Sequence, residues 1–336
     1  MEDHGERERR AAPESPPRRA FIAKAAVGLS GLVAGVAGCR RPERTVDHEA
    51  DSELAALRRV DPRLVKFRET RRIQTRLDEP RGIASDPNGG LYAVGDRQIV
   101  ALGGMGGTWT LEGEPTCLAV TADNTFYTGI GDHVEVYDRA GRRVGSWAPP
   151  SPRAVITAIA ADEDGIWVAD SGGREVLRYD PAGRILARFG GKEPENGYPG
   201  LVVPSPHLDV AGAPGGGVFV SNPGMHRVEH HDAKGTLLSS WGEPSSDVDG
   251  FCGCCNPTDF AVFRDGRFVT AEKGIPRVKV YSAEGRFLAV VAGPDAFPST
   301  TMSLDVAVSP DNRHVWVLEP KERVVRIFSP TEGAAA

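Results

Sequence analysis

From Gly82 to Phe328 the apolar residues fall in short runs that alternate with polar ones, and turns rich in Asp, Asn and Gly separate the runs. A period of two is the mark of a strand with one buried face, since successive side chains point to opposite sides of a sheet. The runs also recur as a unit. Ile83-Ala84-Ser85 leads to Leu91-Tyr92-Ala93-Val94, and Leu118-Ala119-Val120 leads to Phe126-Tyr127 and then Val134-Glu135-Val136-Tyr137. Ile159-Ala160-Ala161 leads to Ile166-Trp167-Val168, then Val176-Leu177-Arg178-Tyr179. Leu208-Asp209-Val210, Phe260-Ala261-Val262 and Leu304-Asp305-Val306 open three further copies, and a fourth run closes most of them, as at 183–190 and 237–242. The openers Ile83, Leu118, Ile159, Leu208, Phe260 and Leu304 are spaced by 35, 41, 49, 52 and 44 residues.

Repeats of this length with four strands each describe blades, and six blades closed into a ring leave only short protected edges. The expected fold is therefore an all-β, six-bladed β-propeller with four-stranded antiparallel blades. The last copy ends after its third strand at Phe328, so residues 64–75 are expected to supply the missing fourth strand and close the ring with both chain ends. A small residue and an acid, then a turn, then a Val-rich strand ending in an aromatic, resembles the NHL-repeat family across residues 64–330. The high content of Gly (40) and Pro (26), spread at short intervals, suits many strands joined by tight turns.

The first 39 residues do not follow this pattern. Arg18-Arg19-Ala20-Phe21-Ile22 resembles the twin-arginine export signal, and the apolar stretch at 25–38 is too short to span a bilayer, which takes about 20 residues. Val36-Ala37-Gly38-Cys39 resembles a lipobox, which implies cleavage before Cys39 and lipid on its thiol. Residues 40–63 read as a charged tether and 331–336 as a disordered tail. The expected location is a bacterial membrane facing the periplasm or the cell exterior, reached as a monomer anchored by the lipid.

Charge removes one class of partner. The chain carries −6, and −7 without its first 39 residues, with no basic stripe, so nucleic acid is not expected. Alignment of the copies places Gly82, Cys117, Ala158, His207, Asp259 and Ser303 at one mouth of the central channel. Just before Asp259 lies Cys252-Gly253-Cys254-Cys255-Asn256-Pro257, a tight loop with three of the five cysteines. Outside the cytoplasm, paired cysteines usually form disulfides, and Cys117 with a loop cysteine would cross the mouth. A bridge between the neighbours Cys254 and Cys255 needs a strained peptide. Alternatively Cys252, Cys254, Cys255, Cys117, His207 and Asp259 bind a metal, with copper or zinc suited to thiolates. The spacing matches no paired zinc ribbon.

The lyase that cleaves peptidyl-hydroxyglycine is also a propeller of this kind, with zinc held by channel-mouth histidines. Pro206-His207-Leu208 resembles one such context, but the other mouth positions here are not histidine. Asp96, Asp170, Asn222, Glu272 and Glu319 recur at one repeat position and read as turn caps, Glu272-Lys273-Gly274 as a turn with one charge pair, and His230-His231 as part of a solvated strand. No nucleophile elbow or metalloprotease motif is present. A membrane-anchored binding or scaffold module for a protein, glycan or small ligand is therefore expected ahead of an enzyme. The alternative is a metal-binding or redox protein built on the loop at 252–255.

Overall fold

The structure, a computed structural model, describes residues 57–103, 106–162 and 165–332. Arg18, Arg19, Cys39 and most of the expected tether lie outside the described residues. Six four-stranded antiparallel sheets form the ring. The first blade runs Pro80–Ser85, Leu91–Gly95, Gln98–Leu102 and Thr108–Thr110, and the second Pro115–Val120, Phe126–Ile130, His133–Tyr137 and Arg143–Ser146. The third is Ile156–Asp162, Gly165–Asp170, Glu175–Tyr179 and Ile185–Phe189, and the fourth Val210–Gly212, Val218–Asn222, Arg227–His231 and Leu237–Trp241. The fifth is Asp259–Val262, Phe268–Ala271, Val278–Tyr281 and Phe287–Ala292.

The sixth blade takes Asp305–Val308, Val315–Glu319 and Val324–Pro330 from the C-terminal end, and its outer strand, Phe67–Gln74, from the N-terminal end. The closure expected from 64–75 is thus present, with Phe67 opposite Pro330 and Gln74 opposite Val324. Arg326 donates to Glu69 across this seam and Arg72 to Glu322 at 3.1 Å. On the C-terminal side the seam reaches one residue past 330. Thr331 N donates to Lys66 O at 2.8 Å, and the Pro62–Leu64 turn leads into a bridge between Val65 and Val290.

Alternating residues bury both faces of each blade against its neighbours, so the core is divided into wedges. One wedge joins Ala119, Tyr127 and Val136 of the second blade to Ile159, Val168 and Leu177 of the third; another joins Val269, Val280 and Ala289 of the fifth to Val306 and Val317 of the sixth. Near the rim an aromatic from one blade lies on a turn glycine of the next. A Cβ on Gly141, Gly183, Gly235 or Gly285 would meet the ring of Trp109, Trp147, Phe189 or Trp241 at 2.3–2.4 Å. These glycines also sit at φ of +80° to +92°, a conformation that side-chain-bearing residues resist, so both requirements fall on one position. Three of these turns are fixed by Asp138, Asp180 and Asp232, each accepting two backbone N–H bonds.

Candidate functional site

The innermost strands surround a central cavity of about 1210 Å³, lined from all six blades. Pairing with the second strands fixes which residues are equivalent: Gly82 faces Val94, Cys117 faces Gly129, Ala158 faces Ala169, Asp259 faces Ala271 and Asp305 faces Leu318. In the fourth blade Val210 pairs with Val220, and Ser221 N donates to Asp209 O, which puts Asp209 at this level. The mouth positions in the fourth and sixth blades are therefore Asp209 and Asp305, two residues beyond the expected His207 and Ser303. A shift of two preserves strand alternation, so Leu208 and Leu304 fit the sequence pattern of Ile83, whereas Val210 and Val306 occupy its place in the blades.

The observed register brings three carboxyls together on adjacent blades, and each clasps the next blade. Asp209 Oδ2 accepts from Phe260 N at 2.7 Å, Asp259 Oδ1 from Val306 N at 2.9 Å, and Asp305 Oδ2 from Ile83 N at 2.8 Å. The preceding junctions use threonine: Thr116 Oγ1 donates to Ile156 O at 2.8 Å and Thr157 Oγ1 to Leu208 O at 2.7 Å. Burial, and then the neighbouring carboxyl, pushes Asp209 up to about 8 despite its backbone donors. Burial and both neighbours hold Asp259 well above the usual carboxylate range, and Asp305 rises to about 6 through burial, tempered by its N–H donor and a hydrogen bond from Asp259.

Cys117 lies at the same level, but its side chain packs among Ile156, Ile159 and Val168, and burial pushes its thiol up to about 12. His207 lines the cavity beside the mouth. Burial and the nearby Lys273 cation lower it to about 4, so it is neutral at physiological pH. Across the ring, the expected bridge from Cys117 to the loop is not formed: all four described cysteines are free thiols. Among the described residues no three His, Cys, Asp or Glu side chains converge as metal donors. Among the described residues, the donors expected for copper or zinc do not form one set.

The loop at 252–255 stands at the entry to the fifth blade and is held from several sides. Glu272 Oε1 accepts from Cys252 N at 3.2 Å, while Asn256 Nδ2 donates to Cys252 O at 2.6 Å and its Oδ1 accepts from Lys273 N at 2.9 Å. Glu272 is buried and paired with Arg277 at 2.5 Å and Lys279 at 3.4 Å. Lys279 Nζ donates to Val248 O and Gly250 O and lies 4.6 Å from the Phe251 ring centroid. Its burial lowers the ammonium to about 8. The expected single charge pair of Glu272 and Lys273 is thus replaced: Glu272 turns inward to Arg277 and Lys279, and Lys273 reaches Ser205 at 2.7 Å.

The other recurrent polar residues, three acids and Asn222, do cap, and they cap the segment entering each innermost strand. Asp96 accepts from Glu79 N, Asp170 from Val155 N, Asn222 from Val202 N and Glu319 from Thr301 Oγ1. His231 departs from expectation. It is buried, bonded to Glu229 and Gly235 O at 3.0 Å each, and Glu229 also receives Tyr198, Asn222 and Arg227.

The ring of six sheets around one channel makes this chain a six-bladed β-propeller, and comparison with solved structures agrees. A catalytically inactive virginiamycin B lyase from Staphylococcus aureus, crystallised with quinupristin, is similar with a TM-score of 0.55 and 11% identity, over 79% of this chain and 99% of that one. The calcium-binding protein regucalcin from Agrobacterium tumefaciens is similar with a TM-score of 0.55 and 14% identity, over 79% and 95%. A Bacteroides thetaiotaomicron protein of unknown function is similar with a TM-score of 0.55 and 17% identity, over 75% and 69%. No protein-family model matches the chain, and no curated protein does.

Proposed function

We propose that the chain is an exported, lipid-anchored propeller of the NHL type that binds a small ligand in its channel and acts as a monomer. The observation that carries the reading is the cavity of about 1210 Å³, bounded by all six blades. Asp209, Asp259 and Asp305 occupy one side of its lining and Gly82, Cys117 and Ala158 the other. A ligand with N–H or O–H donors suits the acidic side, and an apolar body suits the other. The neighbours' descriptions, a lyase and a calcium-binding protein, show one fold carrying different work, so the ligand class is argued from the lining.

The address rests on the twin arginines and on Cys39 in its lipobox context. Cys39→Ser should move the chain from the membrane fraction to the soluble exported fraction, and Arg18→Lys with Arg19→Lys should retain it in the cytoplasm. For the ligand, thermal melting of the exported chain is measured against panels of amines, polyols and dicarboxylates. Amines or polyols should raise the midpoint in wild type and less in Asp209→Asn. A midpoint that responds to none of the three panels would remove the channel reading.

A further inference from the structure

The loop at 252–255 places two adjacent thiols in contact. The Sγ atoms of Cys254 and Cys255 are 3.1 Å apart, about 1 Å beyond a disulfide bond. Their surroundings differ. Cys254 is exposed, whereas Cys255 is 1% exposed and receives a hydrogen bond from Ser205 Oγ at 3.4 Å. Ser205 Oγ in turn accepts from Lys273 Nζ at 2.7 Å, so a cation and a hydroxyl stand in line behind the buried sulfur. Cys252, the third thiol, is held by its backbone to Glu272 and Asn256. This site is independent of the channel ligand.

We propose that Cys254 and Cys255 are a thiol–disulfide exchange site for small thiols and disulfides, with Cys254 the sulfur that partners attack and Cys255 the stabilised leaving thiolate. Charge distribution agrees. Burial raises the Cys255 thiol, but the Ser205 hydroxyl, the Cys254 thiol and Lys273 together bring it below its ordinary value, while its contact with Cys255 raises Cys254.

The cycle balances. Deprotonated Cys254 attacks a small disulfide RSSR, forming a mixed disulfide and releasing RS⁻. The Cys255 thiolate then attacks the Cys254 sulfur, closing the Cys254–Cys255 bond and expelling the second RS⁻. The two thiol protons pass to the two released thiolates, the chain loses two electrons and RSSR gains them. In reverse, an external thiolate attacks the exposed Cys254 sulfur and Cys255 departs beside Ser205 and Lys273. A bond between neighbouring residues is strained, and strained exposed disulfides are the readily exchanged ones.

The test treats the full reduced chain with glutathione disulfide, alkylates the remaining thiols and maps the tryptic peptide 235–264, which holds all three loop cysteines. The expected product is lighter by two hydrogens, with the bond between Cys254 and Cys255 and with Cys252 alkylated. Cys255→Ser should instead accumulate a glutathione adduct on Cys254. Lys273→Met should slow, several-fold at pH 7, the opening of the oxidised pair by glutathione, the step in which Cys255 departs as the thiolate. A bond that includes Cys252 overturns the assignment. So do a persistent adduct on Cys254 in wild type, loop thiols that stay unreacted, an unchanged rate in Lys273→Met, and one copper(I) or zinc per chain that blocks exchange.

Discussion

Asp259 is the residue on which the channel's electrostatics turn. It clasps Val306 N, hydrogen-bonds Asp305 and sits in a row of three carboxyls with raised proton affinity. The folded carboxyls hold protons that an unfolded chain releases above about pH 4. The folded state therefore binds more protons through this window, and stability falls as pH rises from about 4 towards the value of about 8 reached at Asp209. Asp259→Asn keeps an acceptor for Val306 and supplies an N–H to Asp305 without a charge. Its melting midpoint should exceed wild type at pH 8 by ~2–4 °C, the equivalent of about 1 kcal/mol, and match it at pH 5. An equal difference at both pH values would assign the change to packing.

Lys279 gives a second residue-scale expectation. Its ammonium is fully buried and answers two carbonyls and Glu272. Lys279→Met retains the stem but leaves the Val248 and Gly250 carbonyls without this donor and Glu272 with Arg277 as its one cation, so a loss of about 3 kcal/mol is expected in urea unfolding. Asp259 was legible in the sequence as a mouth residue, whereas nothing local marked Lys279 as a buried cation. Asp209 and Asp305 stood two places from the assigned mouth positions because Leu208 and Val210 serve alternation equally well. The shared signal was present in Leu208-Asp209-Val210, Thr258-Asp259-Phe260 and Leu304-Asp305-Val306: aligning on the acid, not on the first apolar residue, gives the observed register.

At the scale of elements, the blades were legible because alternation, Asp-Gly turns and terminal aromatics are local properties of the chain. What lay between blades was not, because contacts such as Trp147 on Gly183 join residues of different repeats. That contact makes a direct prediction. Gly183 is at φ +85° and a Cβ would meet the Trp147 ring at 2.4 Å. Gly183→Ala should therefore cost about 2 kcal/mol or more in chemical denaturation. The same change at Gly131, whose Cβ would meet nothing within 4 Å, retains only the conformational part and should cost less.

The whole ring depends on one seam between distant parts of the chain. Phe67–Gln74 pairs along Val324–Pro330, and Glu69 and Arg326 bond across it. Removing residues through Gln74 leaves the edge of Val324–Pro330 without its partner and takes Phe67 out of the wedge it shares with Phe297 and Phe328. Such a chain should lose its cooperative melting transition and elute as aggregates in size-exclusion chromatography. A sharp transition within a few degrees of wild type would show that the other five blades hold the ring without the seam.

The seam also sets an order of events at the ribosome. Its N-terminal strand is among the first parts of the propeller to be synthesised, yet its partner emerges only when synthesis is nearly complete. Until then the early strand has no bonding edge of its own, and the nascent chain is an open arc with wedges filling from the first blade onwards. Closure is thus the final step, slowed by the loss of chain entropy in joining segments so far apart. A stalled or truncated chain would end with both edges exposed, ready to pair with a second arc. The chain is therefore most exposed to mispairing between synthesis of the last blade and capture of the first strand.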